Sequence, residues 1–222
     1  MIVKLNKRLI AVSEFVDKGS SIIDVGCDHG YLSIYLSQTK KLNKVIASDI
    51  NEGPLKSAQE NIKKYKVEEK IKTKLGSGID PIEPDIDTII ISGMGGLNMI
   101  GILKYSKDKY KNVNTIILSP NSDTYKLRKE ICKLGFYIEN ENLVSEKNII
   151  YPIIKFKRGK KKYKYQDYLY GPILIKQKNK LFLEYMQKEK KTKEKLLAVL
   201  PKKYHKRRYE LKKELKVISK IL

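Results

Sequence analysis

Tryptophan is absent from these 222 residues, and cysteine and histidine occur only twice each. Cys27 and Cys132 are too few for a disulfide framework, and with His29 and His205 they leave no cluster from which to build a zinc or other metal site. The expectation is a reduced chain that holds no metal. Long apolar runs are missing too. The longest, such as Ile89-Ile90-Ile91, fall far short of the ~18 residues of a membrane span, and the opening Met1-Ile2-Val3-Lys4-Leu5-Asn6-Lys7-Arg8 has no apolar h-region. A cytoplasmic location without a membrane partner follows as an expectation, and at this length one α/β core with a modest extra element.

The third scarcity is local. Residues 1–150 carry 23 Lys and Arg against 19 Asp and Glu, whereas residues 151–222 carry 24 against 6. Arginine is rare throughout, 5 residues against 42 lysines. Lysine spread over a whole chain is what an AT-rich genome produces. That bias does not explain why carboxylates nearly vanish from the last third. A block of one sign is an electrostatic footprint for a phosphate backbone; the competing reading is a solvated tail.

What the chain does contain is most informative at Ser21-Ile22-Ile23-Asp24-Val25-Gly26-Cys27-Asp28-His29-Gly30. It reads as a buried strand, a tight turn and a helix start from Tyr31, the unit that brings backbone N–H groups close to a ligand. A second strand, Val45–Ser48, ends on Asp49, placed to hydrogen-bond ribose hydroxyls at the usual offset of about 20 residues. The turn departs from the dinucleotide pattern G-x-G-x-x-G because Asp28 occupies the second glycine position. Asp24 and Asp28 would repel a pyrophosphate and suit a cationic ligand. S-adenosyl-L-methionine, with its sulfonium and ammonium groups, is the expected cofactor.

Pro54–Lys66 predicts a helix with Leu55, Ala58 and Ile62 on one side. Strands are expected at Lys70–Leu75, Asp87–Ser92 and Asn114–Ser119, then a helix over Ser122–Leu134 stopped by Gly135. Phe136–Val144 and Ile149–Phe156 predict an antiparallel pair around a loop at Ser145–Asn148. This alternation implies a doubly wound, mostly parallel sheet. After the basic run Lys155–Lys164, helical composition extends from Pro172 to Leu200, with Leu174, Leu181, Tyr185, Leu196, Val199 and Leu200 as one apolar side. Pro201 interrupts it. Leu211, Leu215, Ile218 and Leu222 then form an a/d stripe. The expected organisation is a cofactor domain over 1–158 and a basic helical domain over 159–222, an antiparallel coiled-coil pair; a helix packed on the main domain is the alternative.

Four loops should converge beyond the carboxyl ends of the strands: Gly26–Gly30, Asp49–Gly53, Gly76–Gly78 and Ser92–Gly96. The last has three glycines in four positions, which lets a planar base or a sulfonium approach the backbone. After the fifth strand, Asn121 in Ser119-Pro120-Asn121-Ser122 offers the donor and acceptor needed to read a purine edge. A turn residue capping the next helix is the equal alternative.

These motifs (the Asp24–Gly30 turn with its Asp-His-Gly ending, Asp49, Gly93-Met94-Gly95-Gly96 and Ser119-Pro120-Asn121), with the Asn6-Lys7-Arg8-Leu9 opening and the basic tail, resemble the bacterial tRNA adenine-22 N1-methyltransferase family over nearly the whole chain. The resemblance implies a Rossmann-like methyltransferase domain, a C-terminal coiled coil, and methyl transfer to N1 of one adenine in tRNA. The expected cofactor residues are Arg8, Asp24, Gly26, Cys27, Asp28, His29, Gly30, Asp49, Ile50, Ser77, Gly78 and Gly93. Ser92, Met94 and Asn121 are expected at the reacting centre. Lys160, Lys161, Lys162, Lys203, Lys206 and Arg207 are expected to contact tRNA, with the chain acting as a monomer. Neutral adenine N1 has a lone pair, so alignment rather than a strong base is required, and a stacked adenine must first be exposed. No Asn/Asp-Pro-Pro-aromatic run follows the fourth strand, which disfavours exocyclic amino methylation. Rival readings are a methyltransferase of this fold with another RNA, protein or small-molecule acceptor, or a non-catalytic RNA-binding protein that has kept the fold.

Overall fold

The continuous isoleucine runs become the centre of a seven-stranded sheet. In the computed structural model, which describes residues 1–222, β1 (Ser21–Val25), β4 (Thr88–Ser92) and β5 (Thr115–Ser119) are buried almost throughout. β-branched residues on both faces suit strands covered by helices on each side. β2 (Lys44–Asp49) and β3 (Ile71–Leu75) extend the parallel sheet outward, and β6 (Phe136–Glu146) and β7 (Ile149–Arg158) close its other side. The order is β3-β2-β1-β4-β5-β7-β6, with β7 antiparallel to both β5 and β6. Strand order reverses between β1 and β4, where Val25 lies beside Ile91. A crevice opens at such a reversal.

The helices are α1 (Lys7–Glu14), α2 (Tyr31–Thr39), α3 (Glu52–Lys64), α4 (Gly96–Tyr105) and α5 (Thr124–Lys133), with a 3₁₀ turn at Lys107–Tyr110. Leu55, Ala58 and Ile62 are the buried side of α3. Neither α1 nor α4 is legible in the hydrophobic pattern. Asn6 caps α1 by accepting from the Leu9 N–H at 2.9 Å. The hairpin is tighter than the expected loop: Lys147 and Asn148, at φ 48° and 64°, make the whole turn. Two consecutive left-handed residues match the twist of antiparallel strands. Pro152, which has no N–H to give, lies outside the β5 ladder, whose pairs involve only Ile154–Lys157 of β7.

The chain divides into two compact units, Met1–Lys162 and Tyr163–Leu222. The first therefore keeps residues 159–162, which the sequence reading assigns to the tail. The second comprises α6 (Tyr165–Tyr170), α7 (Pro172–Gln177), α8 (Lys180–Val199) and α9 (His205–Ile221). The single helical stretch expected over Pro172–Leu200 is broken. Lys178 ends α7 in the left-handed region at φ 45°, and Asn179 caps α8 by accepting from the Phe182 N–H. α8 and α9 run in opposite directions, joined by Lys193 to Glu214 at 3.0 Å and by Arg208 donating to the Leu197 carbonyl at 3.0 Å. The apolar stripes also differ from expectation. Phe182 and Met186 are the buried residues of α8, while Leu196 and Val199 are exposed. In α9 it is Ile221, not Leu222, that continues the buried line from Leu211 and Ile218.

Candidate active site

A cavity of about 770 Å³ lies over the carboxyl ends of the parallel strands. Its floor is the turn after β1. Gly26 and Cys27 both donate their N–H to the Ser48 carbonyl at 2.9 Å, and Gly30 donates to Cys27 O at 2.8 Å. Gly26 sits at φ 69°, where a Cβ would lie 2.2 Å from the Met94 methyl. A side chain there would be strained by that φ and would push the Met94 methyl aside. Asp28 takes the left-handed conformation at φ 52°, which Asp tolerates better than most residues. An acid can therefore replace the usual glycine without breaking the turn.

That conformation aims the Asp28 N–H at Asp49 Oδ2, 3.2 Å away, while Asn51 N–H donates to Asp49 Oδ1 at 3.0 Å. Asp49 is buried and held by backbone at both oxygens. Each oxygen keeps a further lone pair for a ligand hydroxyl. Asp24, at the end of β1, accepts from the Ser33 hydroxyl at 2.8 Å. Burial pushes its carboxyl up to about 6 against the Ser33 bond, with the Asp49 charge adding to the rise. The Cys27 thiol is pushed well above its ordinary range by burial and then by Asp24 and Asp49. It is packing, not a nucleophile.

The far side is built from long-range contacts. Arg8, on α1, donates from Nη1 to Asn121 Oδ1 at 3.1 Å and lies 4.9 Å from the centre of the Tyr151 ring. Asn121 in turn donates its side-chain amide to Gly93 O at 2.7 Å and its backbone N–H to Met94 O at 2.9 Å. Gly93 is at φ 83°, and a Cβ there would meet the Arg8 guanidinium at 3.2 Å. The Ser92 and Ser119 hydroxyls, paired across β4 and β5, are buried without partners.

Of the expected cofactor residues all but Gly30 line this cavity, as do Ser92 and Met94. Gly30 lies beside α3, where its absent Cβ would meet the Ala58 Cβ at 3.0 Å. Asn121 is outside the lining; its side chain is engaged by Arg8 and Gly93 instead. Sequence reasoning missed Tyr31, Asn51, and Leu97, Asn98, Gly101 and Ile102 of α4. The four α4 residues recur at i, i+1, i+4 and i+5, one helix face, and the glycine loop before them was the available signal. Lys160, Lys161 and Lys162 are exposed at the end of the first unit, with Lys161 Nζ 4.0 Å from the centre of the Tyr137 ring. Lys203 precedes α9, so it does not share a helical face with Lys206 and Arg207. Arg207 pairs with Glu210 at 3.3 Å and Glu214 at 3.7 Å.

The family model described as tRNA (adenine(22)-N(1))-methyltransferase matches residues 22–220. The Bacillus subtilis (strain 168) protein of that description is 32% identical over 188 residues, 82% of this chain and 79% of its own. A Streptococcus pneumoniae protein solved in complex with S-adenosyl-L-methionine superposes with a TM-score of 0.90 at 33% identity, covering 100% of both chains. M. capricolum TrmK, solved in complex with S-adenosyl-homocysteine, superposes with a TM-score of 0.86 at 27% identity over 97% of this chain and 96% of its own. Because the family match starts on β1 and ends within α9, it takes in both units, and the whole chain belongs to the tRNA (adenine(22)-N(1))-methyltransferase family.

Proposed function

We propose that the chain transfers the methyl group of S-adenosyl-L-methionine to N1 of adenine-22 in tRNA. The observation that carries the reading is Asp49, buried at the edge of the cavity and fixed by two backbone N–H groups, with the Gly26 turn beside it. Such a carboxylate, oriented before any ligand arrives, is suited to two adjacent ribose hydroxyls. The cradle fits the group in a second way: Gly26 and Gly93 are positions where a Cβ would collide with Met94 or crowd Arg8.

Bound there, S-adenosyl-L-methionine supplies an electrophilic methyl group on a sulfonium. The protein's task is positional. Adenine N1 presents its own lone pair, so no side chain has to remove a proton before attack, and holding the base in line accounts for much of the acceleration. In this reading the Ser92–Gly96 loop and Met94 bound the space for the base. Asn121, steadied by Arg8 and Gly93, keeps one amide hydrogen and one lone pair for the adenine edge. The α8–α9 pair is a coiled coil that contacts tRNA phosphates through Lys203 and Lys206, and Lys160, Lys161 and Lys162 contact tRNA as well. Arg207, already paired with two carboxylates, contributes less. The enzyme acts as a monomer.

The test is to incubate unmodified tRNA with methyl-labelled cofactor and map the labelled nucleoside. Label at N1 of adenine-22 is expected. Label elsewhere, or none despite cofactor binding, would reject the acceptor.

A further inference from the structure

The two most exposed tyrosines are Tyr105, at the end of α4 and 87% exposed, and Tyr209, in α9 and 70% exposed. Single apolar side chains at a surface are ordinary, but the surroundings of these two differ. Near Tyr105 in the chain, Lys104 is paired with Glu130, and Lys109 with Asp80 at 2.8 Å. Near Tyr209 the cations are unpaired. Leu211, Ile218 and Ile221 form the buried line of α9. Two residues back from Leu211 is about 200° around the helix, so Tyr209 stands on the opposite, outward face. Its neighbours there, at i−3, i+3 and i+7, are Lys206, Lys212 and Lys216, all exposed. The carboxylates of α9 are taken elsewhere, Glu210 by Arg207 and Glu214 by Arg207 and Lys193. The Tyr209 ring has neither a hydrogen bond nor a ring or cation contact of its own.

A lysine face with one aromatic ring set into it suits a partner that offers anions and flat apolar surfaces together. RNA offers both, phosphates along its backbone and the π-faces of its unpaired bases. Lys206 and Lys212 lie roughly 9 Å apart along the helix axis, with the ring midway between them. A membrane surface would require a continuous apolar face, which the outward side of α9 lacks. A second copy of this chain would set the same unpaired lysines against each other. Resting on the tRNA reading above, we infer that Tyr209 is a base-stacking residue: its ring covers one unpaired base of the bound tRNA while Lys206 and Lys212 take phosphates on either side. The second unit then does more than neutralise phosphate. It selects a place in the RNA where a base is unstacked, a reading of shape and not of sequence, since every base has a π-face.

The experiment titrates the full chain with unmodified tRNA and with a fully paired RNA duplex of equal length, over a range of salt concentrations. Tyr209→Leu should weaken tRNA binding by roughly 5- to 100-fold, the value of one base stack, and leave duplex binding unchanged. Its log–log salt slope for tRNA should not move, because a stack releases no counterion. Tyr209→Phe, which keeps the ring, should bind as the unsubstituted chain does, and Tyr105→Leu should change nothing. The chain has no tryptophan, so Tyr209→Trp sets a single fluorophore at the position, which tRNA should quench and the duplex should not. A thermal melt checks that each variant folds, and the fluorescence result stands even if Tyr209→Leu does not. Unchanged tRNA affinity in folded Tyr209→Leu, equal weakening by Tyr209→Phe, or a flattened salt slope would each overturn the stacking role while leaving the tRNA reading intact. Emission from Tyr209→Trp that responds to vesicles of phosphatidylserine and phosphatidylcholine, and not to tRNA, would assign the ring to a membrane and overturn it too. Failure of the unsubstituted chain to bind tRNA would reject the tRNA reading itself, and the stacking role with it.

Discussion

Lysine is used in opposite ways in the two units. Residues 1–162 hold 29 basic and 19 acidic side chains, and residues 163–222 hold 18 and 6. In the first unit the carboxylates gather lysines. Glu83 takes Lys44, Lys74 and Lys72, which hold its carboxyl far below the usual range. Glu130 takes Lys104 and Lys133 and is pushed down to about 2. Asp17 accepts from Lys155 at 2.6 Å and Lys157 at 3.1 Å. Such exposed pairs add little stability, but they cancel field where they stand. In the second unit Glu189, Glu194, Glu210 and Glu214 engage only Lys190, Lys193 and Arg207. The charge excess there is uncompensated by geometry as well as by number. An uncompensated patch concentrates anions from solution, so the comparison teaches that pairing, not lysine content, separates a scaffold surface from a candidate RNA surface.

The comparison breaks most visibly on truncation. A chain ending at Lys162 is expected to melt cooperatively and bind S-adenosylhomocysteine normally, while tRNA affinity falls by roughly 100-fold or more at physiological salt. Gel-shift titration beside calorimetry checks both halves, and unchanged tRNA affinity would place the RNA surface wholly in the first unit.

Asp49→Ala tests the other side of the division. Two hydrogen bonds to a charged group are lost, each worth about 1.5–3 kcal/mol, so cofactor affinity should drop by a hundredfold or more with tRNA affinity unmoved. Normal cofactor binding by a folded variant would remove Asp49 from the site.

The buried acid of the first unit sharpens the contrast through pH. Asp24 is raised to about 6 from 3.8 by burial, so the native state binds this proton more tightly than the unfolded chain. Its contribution to stability is therefore complete below about pH 4 and is lost as pH rises through 6, about 3 kcal/mol by pH 7 at 1.36 kcal/mol per unit. Asp24→Asn should raise the apo-protein's melting temperature at pH 7, and the gain should close near pH 4. A pH-independent gain would show that charge is not the cause.

The smallest effect concerns single cations. Lys203→Gln with Lys206→Gln should flatten the log–log salt dependence of tRNA binding by about 1.4–1.8, the value of two phosphate contacts. It should weaken different tRNAs alike, because phosphate contacts carry no sequence. Adding Arg207→Gln should change the slope by less than either lysine does, since its guanidinium is already shared with Glu210 and Glu214. A full further unit would mean those pairs open on binding.

The sequence was most legible where one local rule governs a segment. Asp87–Ser92 and Asn114–Ser119 read as strands because β-branched runs have few other stable uses, and their Ile89-Ile90-Ile91 and Ile116-Ile117-Leu118 are fully buried. Asp49 was legible because its distance from the turn is set by one βαβ unit. Legibility failed where a single residue's backbone decides. Lys178 at φ 45° splits a stretch of uniform helical composition, and nothing in its lysine side chain announces that. It failed again on α8, where lysine-rich turns left Leu196 and Val199 as plausible core while Phe182 and Met186 were the buried pair.

By itself, then, the sequence determined the parallel sheet, the glycine turn and the acid that ends β2, since steric preference and hydrophobic period act between neighbours along the chain. Only the tertiary structure decided the opposite wall of the site. Arg8 and Asn121 are 113 positions apart, and Asn121 and Gly93 are 28. No periodicity links them. They meet because β4 and β5 are neighbouring parallel strands, so the loop after β4 lies beside the one after β5, where α1 delivers an arginine whose buried Nε has no partner of its own.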